Sequence, residues 1–370
     1  MTQPIETKFD SWVVQTSAKR LQFRYELELG DPQEIIFPPT YARKDNAKVG
    51  HVYDINKLVD GTLRCTLDSV GSQANRLFNN PHLIELLPNV VLEDDKGKLI
   101  HMAQITHRAG DGALTASDGA TECQAAFDAM LNGNFLPLAQ LDPLSYVGGV
   151  WDSRGNLARF GRIVNSTIDA YDISYGVRSA QFSATVDLAG TDLQQEFGEV
   201  TEEDSAKSKH PLAQIGLLSA PSVDQHGGIQ VGGNILHLVS INLENIRKLS
   251  VPDKEKKKNE EKKTLALRRY ILGLSLVAVV TYDDYNLRSG CQLFRKHSKA
   301  EILPGHAPLS LDEKEVLAYA QKVAADFGIN GTVEKKFTFK SVLARKLAQA
   351  KKDEAAKRKA EKAEKKKKGE

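Results

Sequence analysis

The chain has 370 residues, of which 41% are hydrophobic, and its formal net charge is +2. This length allows two average domains or one large domain with insertions, and the hydrophobic share can supply a substantial core. No N-terminal segment combines a charged start with an apolar run, and the longest apolar run, residues 270–280, is too short to cross a bilayer. We therefore expect a cytoplasmic protein without a membrane partner.

The charge is spread unevenly along the chain. Residues 335–370 carry a net charge of +10, whereas residues 1–334 carry −8. The Ala/Lys/Glu-rich composition of residues 335–370 predicts a basic tail, either a solvated helix or a disordered segment. Because the remaining body is not basic, a nucleic acid would have to bind it in a local groove.

The three cysteines, Cys65, Cys123 and Cys291, lie far apart and form no CxxC motif. Such cysteine usage is typical of a reducing compartment and argues against a structural zinc site. The sequence also contains no GxSxG, HExxH or P-loop motif. We therefore expect no metal and no cofactor.

The first predicted element is a strand. Residues 20–29, RLQFRYELEL, alternate strictly between polar and apolar side chains. This alternation predicts a strand with one face in the core and the other in solvent. The GDPQ turn ends it, and EIIFPP, residues 34–39, suggests a second segment at a sheet edge.

The next stretch, DSVGSQANRL, residues 68–77, predicts a helix with Asp68 as its N-cap. Its apolar side chains form a buried stripe: Leu67, Val70, Ala74, Leu77 and Phe78. The opposite face has neither carboxylate nor lysine: Ser69, Ser72, Gln73 and Arg76, with Asn75 at its edge. A solvated helix face usually mixes Glu and Lys, so we expect this face to contact a polar ligand.

The later elements follow in chain order. The patterns predict helices over residues 121–133, 264–280 and 310–326, and strands over residues 160–174, 179–188 and 286–294. A Gly-rich stretch, 215–243, leads into another strand, and 251–263 reads as a charged linker. Strands and helices interleave without strict βαβ regularity, which favours an α+β fold with insertions.

Two weaker patterns are ambiguous. The segment HMAQITHRAGDG contains His101, His107, Arg108 and Asp111, but its histidine spacing is not a recurrent metal-binding one, so ordinary surface or packing roles are favoured. The pairs Gly227–Gly228 and Gly232–Gly233 fit hairpin turns better than a phosphate-binding loop, although they allow both. Asp283 and Asp284 fit a turn.

The arginines carry a stronger signal. Six of them lie in short contexts rich in Ser, Asn, Gln or Gly: Arg76, Arg108, Arg154, Arg159, Arg162 and Arg288. Such side chains together can hold phosphate and ribose through charge-assisted and neutral hydrogen bonds. Each one alone is at least as compatible with a salt bridge or a turn. As a set, they favour a nucleic-acid groove.

Taken in order, these segments resemble the backbone RAMP protein of type I-U (also called I-G) CRISPR systems, the Cas-seven-type subunit of the GSU-type family. The resemblance runs from about residue 20 to 295. It is carried by the blocks DSVGSQANRL, THRAGDGAL, YVGGVWDSRG, RFGRIVNSTIDAYDI, HGGIQV and RRYILGLSLVAVVTYDDYNLRSGCQL. The segment 191–211, the charged linker and the basic tail lie outside this pattern.

The resemblance implies an RRM-like (ferredoxin-like) palm with an inserted helical lobe and a hairpin thumb. Residues 1–334 would form this palm with its insertions, and 335–370 the tail. The lobe is expected at about 78–150, the thumb region at about 189–235 and the linker at 251–263.

The resemblance also implies a non-catalytic CRISPR RNA-binding subunit whose copies stack along a guide and present it for pairing with target DNA. The expected partners are CRISPR RNA, target DNA through the guide, further copies of the chain, the large subunit, a Cas-five/Cas-six-type subunit and a recruited helicase-nuclease. The expected RNA-binding residues are Ser72, Gln73, Asn75, Arg76, His107, Arg108, Arg154, Arg159, Arg162, Ser166, Gly227, Gly228, Arg288 and Ser289.

Two rival functions stay open. One is a RAMP-fold endoribonuclease that processes guide RNA with His101, His107 or Asp111. The other is a single-copy structural or RNA-chaperone protein that binds RNA without forming a filament. Cleavage of precursor RNA would distinguish the first, and the mass of complexes on RNAs of graded length would distinguish the second.

Overall fold

A computed structural model describes most of the chain. The described residues are 5–14, 17–41, 52–153, 155–186, 188, 191–197, 211–218, 220–252, 257–329 and 333–367. They form a mixed α+β structure whose sheets are mainly antiparallel. The fold class predicted from the interleaved strands and helices is therefore confirmed.

The bounds of the elements fix the labels used below. The strands in the described part are β1 Arg20–Glu28, β2 Ile55–Lys57, β3 Leu63–Asp68, β4 Asn89–Glu93, β5 Leu99–His101, β6 Val150–Trp151, β7 Arg159–Phe160, β8 Val164–Tyr171, β9 Ile173–Phe182, β10 Ala220–Val231, β11 Ile235–Asn242, β12 Asn286–Arg288, β13 Cys291–Gln292, β14 Phe294–Leu303, β15 Ala307–Pro308 and β16 Val333–Thr338. The helices there are α1 Ile5–Val13, α2 Val70–Phe78, α3 Pro81–Ile84, α4 Gly112–Thr115, α5 Ala120–Leu131, α6 Leu136–Leu141, α7 Leu144–Val147, α8 Asp192–Phe197, α9 Pro211–Gln214, α10 Leu243–Lys248, α11 Lys257–Val280, α12 Glu313–Phe327 and α13 Ser341–Lys367.

The largest sheet has seven strands in the order β15-β14-β1-β11-β8-β3-β2. Each neighbouring pair in it is antiparallel. The strand predicted over residues 20–29 is confirmed as β1, and its apolar side chains alternate into the core as Leu21, Phe23, Tyr25 and Leu27. EIIFPP does not form a strand, although Ile36 makes an isolated bridge to Ile229.

Helices cover the inner face of this sheet. The predicted buried helix over residues 264–280 is confirmed as the C-terminal part of α11, in which every residue from 270 to 279 is buried. The predicted helix over 310–326 is confirmed as α12, which packs against α11. Gly273 permits this close approach, because a Cβ there would lie only 2.9 Å from Cγ2 of Val323.

Several predicted boundaries are wrong. The N-cap of α2 is Ser69, whose side chain accepts from the Ser72 backbone N–H, because Asp68 is still the buried last residue of β3. Residues 257–263 of the expected linker form the first turns of α11, since charged residues continue a helix readily once it projects from the core. The expected strand 286–294 is a short hairpin, β12–β13, followed by the start of β14, because Gly290 turns the chain at φ +74°.

The region expected to be a helical lobe also contains strands. Short helices α3–α7 surround a three-stranded sheet of order β16-β4-β5. Residues 335–338 therefore belong to the folded body, and the prediction that a tail begins at 335 places the boundary too early. Phe337 in β16 is buried, and the Thr338 backbone N–H donates to Asp118 Oδ1 at 2.8 Å. Of the remaining tail, residues 341–367 form the helix α13.

The Gly-rich excursion forms an extended ribbon. Strands β9 and β10 pair antiparallel, and the segment between them includes α8 and α9. Much of the thumb region expected at 189–235 lies outside the described residues, namely 189–190, 198–210 and 219. None of the helices in the described ranges is both long and apolar enough to cross a membrane.

Candidate nucleic-acid interface

Two grooves flank helix α2. The first, which we call the arginine groove, has a volume of about 670 Å³. It is lined by Gly71, Ala74, Asn75, Thr106, His107, Arg108, Gly110, Gly148, Gly149, Val150, Trp151, Ser153, Arg159, Phe160, Gly161 and Arg162. The second, the aspartate groove, has about 820 Å³ and is lined by Ser72, Asn75, Arg76, Asn79, Asn80, Pro81, His82 and residues 281–284. Asn75 borders both grooves.

The arginine groove is cationic because basic side chains line it and no acidic side chain does. Three of its residues are arginines and one is a histidine, and none is Asp or Glu. Arg159 and Arg162 are exposed, and neither forms an ion pair with any described residue. A groove of this kind attracts anions through uncompensated charge, even on a body whose overall charge is negative.

Arg108 forms the deep wall of the arginine groove. It is only 8% exposed, and its guanidinium lies over the ring of Phe78, 4.8 Å from the ring centroid. Its Nε is buried without a hydrogen-bond partner among the described residues, and its backbone has φ +55°. Burial lowers the pKa of Arg108, partly opposed by the nearby Asp142 carboxyl. The side chain is therefore a buried cation whose hydrogen-bonding capacity is incompletely used.

Asp142 anchors the segment that carries Arg108. Its carboxylate accepts from the Ala109 backbone N–H at 2.8 Å and from the Ser145 hydroxyl at 2.7 Å. Complete burial raises the pKa of Asp142, while these hydrogen bonds and Arg108 oppose the rise. This carboxyl lies outside the groove lining, so it positions the arginine without closing the groove to an anion.

Two glycines make room for the arginine side chains. A Cβ on Gly148 would lie 2.6 Å from Nη2 of Arg108, and one on Gly149 would lie 2.7 Å from Cγ of Arg162. Gly149 also has φ +76°, which favours glycine, and the Gly148 carbonyl accepts from Nε of Arg162 at 3.0 Å. The sequence YVGGVW thus shapes the floor of the groove around two guanidinium groups.

His107 and Asp111 form the acid/base pair nearest to this groove. Their Nδ1 and Oδ2 atoms are 3.2 Å apart, and the His107 side chain is 74% exposed. His101, the other histidine of this segment, caps a short 3-10 turn by accepting from the Ala103 backbone N–H, and burial lowers its pKa. Of the two histidines, only His107 lines the groove.

The aspartate groove is different, because its arginine is already paired. Nε of Arg76 lies 3.2 Å from Oδ2 of buried Asp68, and Nη1 lies 3.1 Å from Oδ2 of Asp284. Arg76 Nη2 also donates to the Leu287 carbonyl. The expectation that the Gln73/Arg76 face is turned toward a ligand is therefore corrected: its charge is balanced within the protein.

Gln73 is fully buried and belongs to a chain of hydrogen bonds beneath α2. Its Nε2 donates to Asp68 Oδ2 at 2.7 Å, and its Oε1 accepts from the Ser166 hydroxyl at 2.8 Å. The Ser166 oxygen lies 2.8 Å from Nε2 of His237, whose Nδ1 lies 3.1 Å from the Tyr285 hydroxyl. Gln73 and Ser166 thus face inward, which corrects the expectation that they lie on a ligand-facing surface.

The direction of these hydrogen bonds determines the chemistry of the Ser166–His237 pair. Because Ser166 donates to Gln73, it must accept from Nε2–H of His237, and Nδ1 then accepts from Tyr285. Burial, reinforced by nearby Arg295, lowers the pKa of His237 to about 3. A neutral histidine that donates to the serine cannot remove its proton, so this buried pair is not an activated nucleophile.

Residues 22–175 match the family model of the CRISPR-associated protein GSU0053. This match supports a GSU0053-type CRISPR-associated protein. The matched segment includes every residue that lines the arginine groove, whereas residues 281–284 of the aspartate groove lie outside it. A search of curated proteins finds no match to the chain.

The remaining site residues predicted from sequence do not all converge. Asn75, His107, Arg108, Arg159 and Arg162 line the arginine groove, while Ser72 and Arg76 line the aspartate groove. Arg154 lies outside the described residues. The others, Gly227, Gly228, Arg288 and Ser289, border neither groove.

Three of these outlying residues, Gly227, Gly228 and Arg288, have structural contacts. Gly227 lies in the β9–β10 ribbon, where a Cβ would come within 2.8 Å of the Gly176 backbone, and the Gly228 backbone N–H donates to the Tyr53 hydroxyl. Arg288 donates to the Leu67 carbonyl at 2.8 Å and lies 3.5 Å from Asp68. Across the described residues, no cluster of three or more His, Cys, Asp or Glu side chains could hold a metal ion.

Sequence reasoning missed two features of the arginine groove. It did not single out the glycine pair at 148–149 or the aromatic residues Trp151 and Phe160 as lining residues. The available signal was the run YVGGVWDSRG, in which two adjacent glycines precede a tryptophan and an arginine. Its meaning depends on Arg108, which is distant in sequence and becomes a neighbour only in the fold.

Proposed function

We propose that this CRISPR-associated protein is the non-catalytic RNA-binding backbone subunit of a type I-U/I-G Cascade surveillance complex. Its copies polymerise along the CRISPR RNA and present the guide for pairing with target DNA in antiviral defence. The observation that carries the proposal is the arginine groove, with three arginines and no carboxylate in its lining. Phosphates of a guide are the anions that such a groove would hold.

The topology of the large sheet supports an RRM-like palm. Its four central strands occur along the chain as β1, β8, β11 and β14, and their spatial order is β14-β1-β11-β8. Helix α2 lies between the first two in sequence, and α11 lies between the last two. This βαββαβ succession is that of a ferredoxin-like unit, the architecture on which RRM domains are built.

The composition of the arginine groove suits a guide that must be held in register. Guanidinium groups bind phosphate through a planar fork of donors, whereas ammonium groups act as point charges. Arginines placed by glycines 148 and 149 and by the Asp142-anchored segment can therefore fix geometry as well as supply charge. The proposed partners follow: further copies, target DNA through the guide, the large subunit, a Cas-five/Cas-six-type subunit and a helicase-nuclease.

Complexes on RNAs of graded length test this proposal. The purified protein would be mixed with guide-like RNAs that differ by equal increments, and the mass of each complex would be measured by light scattering. A backbone subunit adds whole copies as the RNA lengthens. One copy on every length would instead support the single-copy alternative, and absence of RNA binding would overturn both.

The His107–Asp111 contact favours one rival function, a RAMP-fold endoribonuclease. These two side chains could share a proton beside a cationic groove. Cleavage usually also needs a second acid/base group, and the groove lining contains no further His, Asp, Glu or Lys. Incubation of the protein with precursor guide RNA distinguishes the two functions. Discrete RNA fragments that are absent with the His107→Ala variant would support the nuclease, whereas intact RNA would support the proposed non-catalytic role.

A further inference from the structure

Trp151 is an exposed aromatic side chain at the edge of the arginine groove. The chain has two tryptophans: Trp12 is 7% exposed, whereas Trp151 is 62% exposed and lines the groove. An exposed indole beside three arginines offers a flat apolar face, next to cationic groups, on which a planar ligand can stack. Nucleobases have such a surface.

The local backbone directs Trp151 to the same side as Arg159. The two residues pair across the ribbon β6–β7, and directly opposite residues in an antiparallel ladder project from one face. Val150 and Phe160, the neighbouring pair, project to the other face, where Val150 is buried. The ribbon therefore places an indole beside a guanidinium that has no ion-pair partner among the described residues.

The loop that closes this ribbon is held by Asp152. Its carboxylate accepts from the backbone N–H groups of Gly155 at 2.9 Å and Asn156 at 3.0 Å. The Asp152 backbone N–H donates to the Ala158 carbonyl at 2.8 Å. A Cβ on Gly155 would lie only 2.2 Å from Asp152 Oδ2, so the turn depends on glycine. Trp151 thus stands on a hydrogen-bonded support, which reduces the entropy lost on stacking.

We propose that Trp151 is a stacking platform for one base of single-stranded RNA, while Arg159 and Arg162 hold the adjoining phosphates. This inference rests on the proposed function, since it assumes that the groove holds RNA. The platform is tolerant of base identity, because every base offers a π face. It adds an apolar contribution to a site whose other contacts are electrostatic.

Fluorescence of the full-length protein tests the proposal directly. Because Trp12 is buried, quenching by a bound oligoribonucleotide would report Trp151. We expect oligouridylate and oligoadenylate both to quench the emission, and Trp151→Phe to remove the quenching while largely keeping affinity. Trp151→Ala should weaken binding about 5- to 150-fold without changing its salt dependence, since stacking is worth about 1–3 kcal/mol per base.

An abasic oligonucleotide with the same phosphates serves as the matched ligand control. It should bind more weakly than oligouridylate to the wild type, and Trp151→Ala should bind both equally. Binding of RNA with unchanged tryptophan emission and full affinity of Trp151→Ala would overturn the stacking role and leave the proposed function standing. Failure of the wild type to bind RNA would overturn the proposed function as well.

Discussion

The two grooves beside helix α2 share one residue, Asn75, and are similar in size, yet only one of them has free positive charge. The arginine groove contains no carboxylate in its lining, whereas the aspartate groove contains Asp283 and Asp284. Arg76 in the second groove is paired with Asp284 and with buried Asp68. The same residue type, at two sides of one helix, therefore has two different roles.

The difference shows that the tertiary fold, and not the local sequence, determines whether an arginine has a carboxylate partner. Asp284 is 208 residues from Arg76, so no inspection of the sequence around α2 could have found it. Arg159 and Arg162 form no ion pair with a described residue, because the lining of their groove, built from α2 and the segments 106–110 and 148–162, contains no Asp or Glu. Three experiments test this contrast between the two grooves.

The largest expected effect is a loss of RNA affinity when two arginines of the arginine groove are replaced by glutamates. Arg159→Glu combined with Arg162→Glu should weaken binding about a thousandfold, since each loses a charge-assisted hydrogen bond and gains repulsion. Both side chains are exposed, so folding should be unchanged, as checked by circular dichroism. Binding is measured by filter retention at fixed salt.

The matched control makes the same change in net charge outside the groove. Lys96→Glu with Lys98→Glu alters two exposed residues in the turn between β4 and β5. This variant should lose much less affinity than the groove variant. If both variants lost the same RNA affinity, binding would depend only on the net charge of the protein, and the arginine groove would not be the RNA-binding site.

A smaller effect, on stability instead of binding, is expected in the aspartate groove. Arg76→Gln leaves the more distant Arg288 as the cationic partner of buried Asp68 among the described residues, so the free energy of unfolding should fall by about 3 kcal/mol. RNA affinity of the folded fraction should stay unchanged. Urea unfolding measures the first quantity and filter retention the second.

Arg159→Gln is the paired variant for this test, because it makes the same substitution in the other groove. It should change the free energy of unfolding by less than about 0.5 kcal/mol, as for surface sites in general. It should weaken RNA binding and lower the salt slope by about 0.7, the value for one phosphate on a single strand. If Arg76→Gln weakened RNA binding and Arg159→Gln lowered the free energy of unfolding instead, Arg76 would be the RNA-binding residue.

The smallest effect is a pH dependence from the hydrogen-bond chain beneath α2. The pKa of His237 is lowered to about 3 in the folded protein, whereas an unfolded histidine has a pKa of about 6.5. Between these values only the unfolded chain binds the proton, so the free energy of unfolding falls as pH decreases from about 6.5 toward 3. The slope from this one group is about 1.4 kcal/mol per pH unit.

His237→Gln should lack this contribution while keeping one donor and one acceptor. We expect its free energy of unfolding, measured in urea between pH 6 and 4, to vary less steeply than that of the wild type by the equivalent of one proton. Parallel pH profiles would mean that His237 is protonated in the folded protein and donates from both nitrogens, which would reverse the hydrogen-bond direction assigned to Tyr285 and leave that of Ser166 unchanged.

The strongest periodic patterns were predictable from sequence because local patterns determine them. Alternation over residues 20–29 predicted β1, and helical spacing predicted α12 and the buried part of α11. The polar face of α2 was misassigned for a mainly nonlocal reason: besides Asp68, which closely precedes the helix, its partners Ser166 and Asp284 come from β8 and the loop before β12. A carboxylate-free face predicts a polar partner correctly, but it does not say whether that partner is RNA or the protein itself.

The lysine-rich C-terminal segment illustrates the same limit. Composition alone assigns residues 335–340 to the tail, because Lys335, Lys336 and Lys340 resemble the sequence that follows. The alternation that buries Phe337 spans too few residues to be noticed beside them. Pairing with β4 is what turns this short segment into strand β16.

Strand β16 has a consequence for the order in which the protein can be made. It pairs with β4, and Val333 is matched with Asn89, so the inner sheet of the lobe is completed by a strand synthesised some 240 residues after its neighbour. Contacts of such long sequence separation form slowly and late. The lobe that supplies Arg108 and the two glycines therefore reaches its final packing only after residues 333–338 have been synthesised, and a shorter nascent chain would lack the finished arginine groove.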